Sequence, residues 1–298
     1  MNADFESQGT LTVDRSRFAD YVTLTKPELT FLSAVTALGG FYLGTSGSIP
    51  LATMFHTLFG TLLVGGGAGA LNQFIEREYD AQMKRTENRP LPSGRLTPVE
   101  VLLFGVLISA AGLAELFYFT TSLAGILAAI TSTTYLFLYT PLKRITWTST
   151  IIGGIPGAIP PMIGWAAARN DLTAEAWVLF GILFFWQMPH FFSLAWMYRK
   201  DYERAGYPML PVVDLTGNRT ALQILLFCIG LIPVSLLLTV LGSLGWIYFA
   251  GATLAGAAFL FFGFDLFETR SNASARTLFF ASLLYLPLLL AFIVIDKL

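Results

Sequence analysis

The sequence predicts an all-α polytopic membrane protein, and three observations carry that prediction. Of 298 residues, 55% are hydrophobic and only 12% are charged, about half the charged share of an ordinary soluble domain. Apolar stretches recur at lengths near the roughly 20 residues that cross a bilayer. Basic residues fall almost wholly on alternate connections between those stretches. A soluble globule of this size could not hide so much apolar surface. The net charge of −1 offers no argument for nucleic acid. The lone Cys228 excludes a disulfide framework or a Cys-rich metal site. The ten-residue alternation of a membrane β-barrel is missing.

Nine spans are expected, near 27–45, 50–76, 98–118, 121–139, 150–168, 174–197, 220–241, 243–264 and 277–295. The first follows a polar segment, residues 1–20, read as a short mobile tail. Its Asp4, Glu6, Asp14 and Asp20 argue against both a secretory signal and a transit peptide. The second span ends in a run of small residues, Gly65 to Ala70, that lets a neighbouring helix come close. The third and fourth are apolar stretches of spanning length. The fifth holds Gly153, Gly154, Pro156, Gly157, Pro160, Pro161 and Gly164, so a straight helix is not expected there. Irregular backbone survives in a membrane only inside protein or along a cavity, so this span is read as cavity-lining. The sixth span is aromatic and carries Pro189 and His190. The seventh, eighth and ninth are apolar throughout.

Sidedness follows from the charges. Sixteen of the 18 Lys and Arg residues sit on the N-terminal tail and on the second-to-third, fourth-to-fifth, sixth-to-seventh and eighth-to-ninth connections. Only Arg169 and Lys297 lie on the other side. The positive-inside rule puts the N-terminus in the cytoplasm and the C-terminus outside, in a bacterial-type inner membrane. Two long cytoplasmic loops, about 77–97 and 198–219, follow spans four apart. This suggests that residues 21–298 form one domain built from a duplicated four-helix unit plus a ninth helix.

Asn72, Glu76 and Asp80 recur every four residues at the end of the second span, which stacks them on one helical face. Their oxygens suit a hard divalent cation such as Mg²⁺, which shares its shell with water and substrate phosphates. The bland alternative is a helix end dipping into water. The loop beyond carries Lys84, Arg85, Arg89 and Arg95, whose forks and point charges bind phosphate or simply mark the cytoplasmic side. Lys143 and Arg144 form a short basic turn on the same side. In the sixth span His190 and Asp201 are 11 residues apart. On a continuous helix that is close to three turns, placing His190 roughly 16 Å deeper on the same side. His56 is read as structural.

Taken together, Asn72-Gln73 through Arg89-Pro90-Leu91, Pro189-His190, and Tyr198-Arg199-Lys200-Asp201 through Pro211 resemble the heme-farnesylating branch of the UbiA-type intramembrane prenyltransferase superfamily. The superfamily's first motif is Asn-x3-Asp-x3-Asp, with Glu76 as the middle acid here. Its second is commonly Asp-x3-Asp, but Asp201 is followed four residues later by Ala205. That departure fits the heme branch and leaves open whether one Mg²⁺ or two are held. The resemblance implies nine transmembrane helices around a central cavity capped by the two cytoplasmic loops, with farnesyl diphosphate and heme B as substrates, heme O as product, and Mg²⁺ as cofactor. It implies that Asn72, Glu76, Asp80 and Asp201 form the metal and diphosphate set. Arg85, Arg89, Lys143, Lys200 and Arg204 become partners of diphosphate or heme propionates, undivided between the two. His190 becomes a candidate heme contact and iron ligand. A downstream heme A synthase is a further partner expected from the resemblance alone. Prenylation of an aromatic quinone precursor is the nearest alternative. A cation transporter is more distant, because below Asn72 the second span turns to Gly, Ala, Val and Leu.

Overall fold

The computed structural model describes residues 16–297; the first fifteen residues of the expected tail lie outside them. The described chain is built of helices. In order they are α1 (Arg17–Leu24), α2 (Pro27–Gly44), α3 (Leu51–Asp80), α4 (Pro98–Phe119) and α5 (Ser122–Thr133). A π-helical segment, Thr134–Tyr139, leads into the short α6 (Thr140–Leu142). Then come α7 (Ser149–Ala158), α8 (Pro160–Arg169), α9 (Ala174–Met197), α10 (Arg199–Arg204) and α11 (Leu210–Val213). The last three are α12 (Asn218–Val240), α13 (Trp246–Thr269) and α14 (Asn272–Asp296).

Eight helical stretches among the described residues are long and apolar enough to cross a membrane, where the sequence led us to expect nine. The one that falls short is α2. It is helical over the expected first span, but Glu28, Thr30, Ser33, Thr36 and three glycines dilute its apolar content. Those small residues serve packing against α8. A Cβ on Gly40 would lie 2.0 Å from the Pro161 carbonyl oxygen, and one on Gly164 would lie 1.7 Å from that of Ala37. The two backbones therefore touch, and no larger side chain fits between them. Helices α3 and α4 approach in the same way through Gly60, Gly67, Gly105 and Gly112.

Helix α1 starts inside the segment expected as a mobile tail. Ser16 caps it by accepting from the Ala19 amide. Asp20 is buried and accepts from Arg95 Nε at 2.9 and 3.1 Å. The fifth expected span is broken at Ile159 into α7 and α8. Pro160 and Pro161 have no amide hydrogen to give back to the preceding turn.

The sixth span corrects one expectation. Pro189 does not interrupt α9, which is helical from Ala174 to Met197. The interruption comes at Tyr198, with φ −101° and ψ 22°. Asp201 therefore stands on a separate helix, α10, and not on one continuous helix with His190. Beneath the two long loops, Met83, Tyr202, Tyr207 and Met209 pack into one small core. This core joins the loop after α3 to the loop after α9.

Candidate active site

The site is organised by the last three turns of α3. The four-residue spacing puts Asn72, Glu76 and Asp80 on one face, and each is buried to 3% exposure or less. Charged groups cannot stay at this depth unpaired, and each meets a partner from elsewhere in the chain. Lys26 Nζ donates to Asn72 Oδ1 at 2.6 Å. Asn72 Nδ2 donates to Glu76 at 3.0 Å and to Thr140 Oγ1 at 3.2 Å. Lys143 Nζ donates to both Glu76 oxygens, at 2.7 and 2.9 Å. The Tyr207 hydroxyl donates to Glu76 Oε1 at 3.3 Å. Arg89 Nη1 donates to Asp80 Oδ2 at 2.6 Å.

Local structure explains how the cations reach this face. Lys26 has φ 48° and ψ 60°, a left-handed conformation that a side chain disfavours. That turn separates α1 from α2 and directs the ammonium to α3. The π-helical turn before α6 adds a residue to the helical register, and such insertions are frequent at functional sites. It brings Tyr135 within 3.5 Å of Lys26 Nζ. It also sets Lys143 over the rings of Tyr139 and Tyr207, 5.4 and 5.3 Å from their centroids.

The electrostatics follow from this crowding. Burial, helped by Arg89 and Lys143, lowers the Lys26 ammonium to about 7 against the pull of Glu76 and Asp80. Burial also opposes charge on Lys143, but Glu76, with Tyr139 and Tyr207, holds that ammonium well above its ordinary value. Burial and the Glu76 carboxylate push the Tyr207 phenol up. Glu76 is thus the carboxylate that keeps Lys143 charged, while burial makes Lys26 the most weakly protonated cation of this face.

Of the residues expected from the sequence, Asn72, Glu76, Asp80, Arg89 and Lys143 are brought together. Arg85 stands beside them. It donates to the Tyr202 hydroxyl at 3.2 Å and lies over Tyr198 and Tyr202. Asp201, Lys200 and Arg204 lie on α10. Asp201 is 3.8 Å from Arg204, and none of the three has a hydrogen bond or ion pair with the acidic face among the described residues. His190 points toward α14. Its Nδ1 is 2.7 Å from Ser282 Oγ, and its ring stacks on Trp186 and Phe279. Ser282 spends its single hydroxyl hydrogen on the Phe279 carbonyl, so His190 Nδ1 is the donor. The lone pair of the neutral ring is then on Nε2. His56, expected to be structural, pairs with Glu115 at 2.7 Å and stacks on Phe119.

Two functional candidates escaped the sequence reading, Lys26 and Tyr207. In the sequence Lys26 reads only as one of the basic residues that set sidedness, although its place between Thr25 and Pro27 marks a helix start. Tyr207 lay in plain view between Gly206 and Pro208, but nothing in that spacing links it to Glu76, 131 residues away.

The amide and carboxylate oxygens of this face are hard donors that suit Mg²⁺. Among the described residues no group of three His, Cys, Asp or Glu side chains forms a metal site by itself. The surrounding cations Lys26, Arg89 and Lys143 suit a diphosphate anion. The residues present therefore fit a mixed metal and diphosphate site.

Comparison with known proteins bears on the acceptor. The model of the UbiA prenyltransferase family matches residues 33–285. A protoheme IX farnesyltransferase of Solibacter usitatus is 48% identical, covering 93% of this chain and 98% of that protein. One of Opitutus terrae is 43% identical, covering 97% and 98%. Among solved structures, one described as digeranylgeranylglyceryl phosphate synthase superposes with a TM-score of 0.79 at 16% identity, covering 94% and 98%. A UbiA homologue from Archaeoglobus fulgidus, bound to DMAPP and Mg²⁺, gives a TM-score of 0.66 at 15% identity, covering 93% and 99%.

Proposed function

The chain belongs to the UbiA prenyltransferase family, and from that premise we propose that it is a protoheme IX farnesyltransferase. It transfers the farnesyl group of farnesyl diphosphate to a vinyl group of heme B, giving heme O and diphosphate. One observation carries this reading. A buried face of Asn72, Glu76 and Asp80, ringed by Lys26, Arg89 and Lys143, occurs in a chain that matches heme-farnesylating relatives over nearly their whole length.

In this reading Asn72, Glu76 and Asp80 hold Mg²⁺, which when bound draws charge from the diphosphate. Lys26, Arg89 and Lys143 hold the departing diphosphate, so the allylic C–O bond breaks with its electron pair on oxygen. The farnesyl cation is attacked by the vinyl group. Water adds to the resulting carbon cation next to the porphyrin and loses a proton to solvent, which leaves a hydroxyethylfarnesyl chain. The rings of Tyr135, Tyr139 and Tyr207 favour positive charge on their faces and exclude water before the carbon bond forms. His190 contacts the heme and offers Nε2 to iron. Asp201 is retained as the second loop's acid, supported by the Arg85–Tyr202 contact one residue away. Arg85, Lys200 and Arg204 remain on the anion-binding side. Helix α2, the first span, completes the nine. The N-terminus is cytoplasmic and the C-terminus outside in a bacterial-type inner membrane, and the domain expected over residues 21–298, joined by the start of α1 through Asp20 and Arg95, carries a four-helix pseudo-repeat.

The test is a product assay. Membranes holding the wild type or Asp80→Ala are incubated with heme B, farnesyl diphosphate and Mg²⁺, and extracted hemes are analysed by mass. Heme O from the wild type alone is expected. Unchanged heme B in folded wild-type protein would overturn the reading and point to a quinone precursor as acceptor.

A further inference from the structure

Away from the acidic face, the ends of α9, α12 and α14 surround a cavity of about 520 Å³ at the cytoplasmic surface. Its side chains include Arg199, Lys200 and Arg270, with Asp201 as the one carboxylate. Asp201 already has Arg204 at 3.8 Å. Among the described residues Arg199, Lys200 and Arg270 form no ion pair. Gly217, which caps α12, and Asn272, the first residue of α14, also line the cavity. The first turns of α12 and α14 therefore border the same space as the three cations, although Asp214 already accepts from the Thr220 amide at the start of α12 and Ser271 caps α14. Arg270 stands at φ 48°, where glycine or asparagine would be relaxed. Besides Lys26 and Asn170 it is the only non-glycine residue in this conformation among those described.

We propose that this cavity binds the propionate carboxylates of the acceptor, separately from the diphosphate held at α3. The assignment rests on the heme-farnesylating reading above and takes Lys200, which that reading left open, for the acceptor. Lys26, Arg89 and Lys143 serve the donor, and Arg199, Lys200 and Arg270 serve the acceptor. Position favours the acceptor as the occupant. His190 lies on α9 seven residues before Met197, about 10 Å along the helix from the cavity. Phe279 and Ser282, which hold His190, lie on α14 beyond Asn272. The carboxylate end of a porphyrin in the cavity would thus share helices α9 and α14 with the proposed iron contact. An anionic lipid headgroup offers the same charge and is the alternative to be told apart.

The experiment uses the full chain in nanodiscs and two variants, Arg199→Gln/Arg270→Asn and Arg270→Lys. Asparagine keeps the left-handed turn while removing the charge. Heme B binding is titrated by absorbance, and KM is measured for each substrate. The double variant should bind heme B roughly tenfold or more weakly, the order of one lost charge-assisted contact. Its KM for farnesyl diphosphate should be unchanged, which also reports an intact fold. Arg270→Lys, which keeps every charge of the cavity, should bind heme B nearly as tightly as the wild type. Heme B dimethyl ester should bind wild type and double variant alike. Unchanged heme B binding in the double variant would overturn the proposal. So would an equal loss for the ester, or a defect that follows the phosphatidylglycerol content of the disc instead of the heme's carboxylates. Wild-type protein that binds heme B but makes no heme O would defeat the farnesyltransferase reading alone. Wild type that does not bind heme B defeats both.

Discussion

Lys143 Nζ donates to both carboxylate oxygens of Glu76, at 2.7 and 2.9 Å, across 67 residues of chain. The side chains are 15% and 4% exposed, so the pair is shielded from water and each charge depends on the other. Removing one partner from such a pair costs about 3–5 kcal/mol, because the other is left buried and uncompensated. Glu76→Gln and Lys143→Met should each lower the unfolding temperature in detergent and abolish heme O formation. The double variant should be more stable than the sum of the single losses predicts, and still inactive. Additive losses in the thermal unfolding cycle would mean that the pair is not coupled.

The low value of Lys26, about 7, gives the reaction a pH dependence of definite sign. Below 7 the ammonium is charged and ready for an anion. Above 7 it is increasingly neutral, and capturing diphosphate then requires uptake of a proton. For farnesyl diphosphate, kcat/KM should therefore be level below 7 and fall toward tenfold per pH unit above it. Lys26→Arg, charged throughout, should lose that falling limb. The same shift acts on stability: between 7 and 10.5 the unfolded chain binds more protons at this residue, so its contribution makes the fold more stable as pH rises. A wild-type profile that stays level to pH 9 would show that Lys26 does not take part in capture.

Ser282 orients His190 by accepting from Nδ1. Ser282→Ala should leave the fold intact, weaken heme binding several-fold and alter the heme absorbance band, because the ring loses its fixed tautomer. His190→Ala should lose the iron-linked spectral feature entirely. Neither should change binding of inorganic pyrophosphate. A heme spectrum that is the same in all three proteins would remove His190 from the heme site.

Close contact of α2 and α8 predicts a packing effect far from the chemistry. Gly164→Ala puts a methyl group onto the Ala37 carbonyl oxygen, and the two backbones must separate. Overpacking of this kind costs about 1–3 kcal/mol. The unfolding temperature should drop while heme O formation at low temperature persists. Gly47→Ala, placed where nothing lies within 4 Å, tests backbone strain without crowding and should cost less.

Much of this molecule was legible in the sequence because the signals are local. Span positions follow from runs of apolar residues, and the helices observed begin and end within a few residues of them. The Pro-rich fifth span was expected to be irregular, and it breaks at Ile159 where two prolines withhold amide hydrogens. The face of Asn72, Glu76 and Asp80 needs only a four-residue period to be seen. Its reading as a metal and diphosphate site comes from the oxygen chemistry of those side chains. Even the family could be named from motifs that lie along the chain.

Tertiary structure decided which charges meet. Lys26 reaches Asn72 across 46 residues and Tyr207 reaches Glu76 across 131, and no period or spacing encodes such pairings. It decided that Asp201 leaves the axis of α9 at Tyr198, and that His190 turns toward α14. It also decided that α2, the least apolar of the expected spans, is spent on contact with α8. The physical reason is common to all of these. A helix period fixes which side chains share a face, whereas the identity of the opposing face depends on how helices pack, through small residues, turns and left-handed residues whose effect is felt only at a distance.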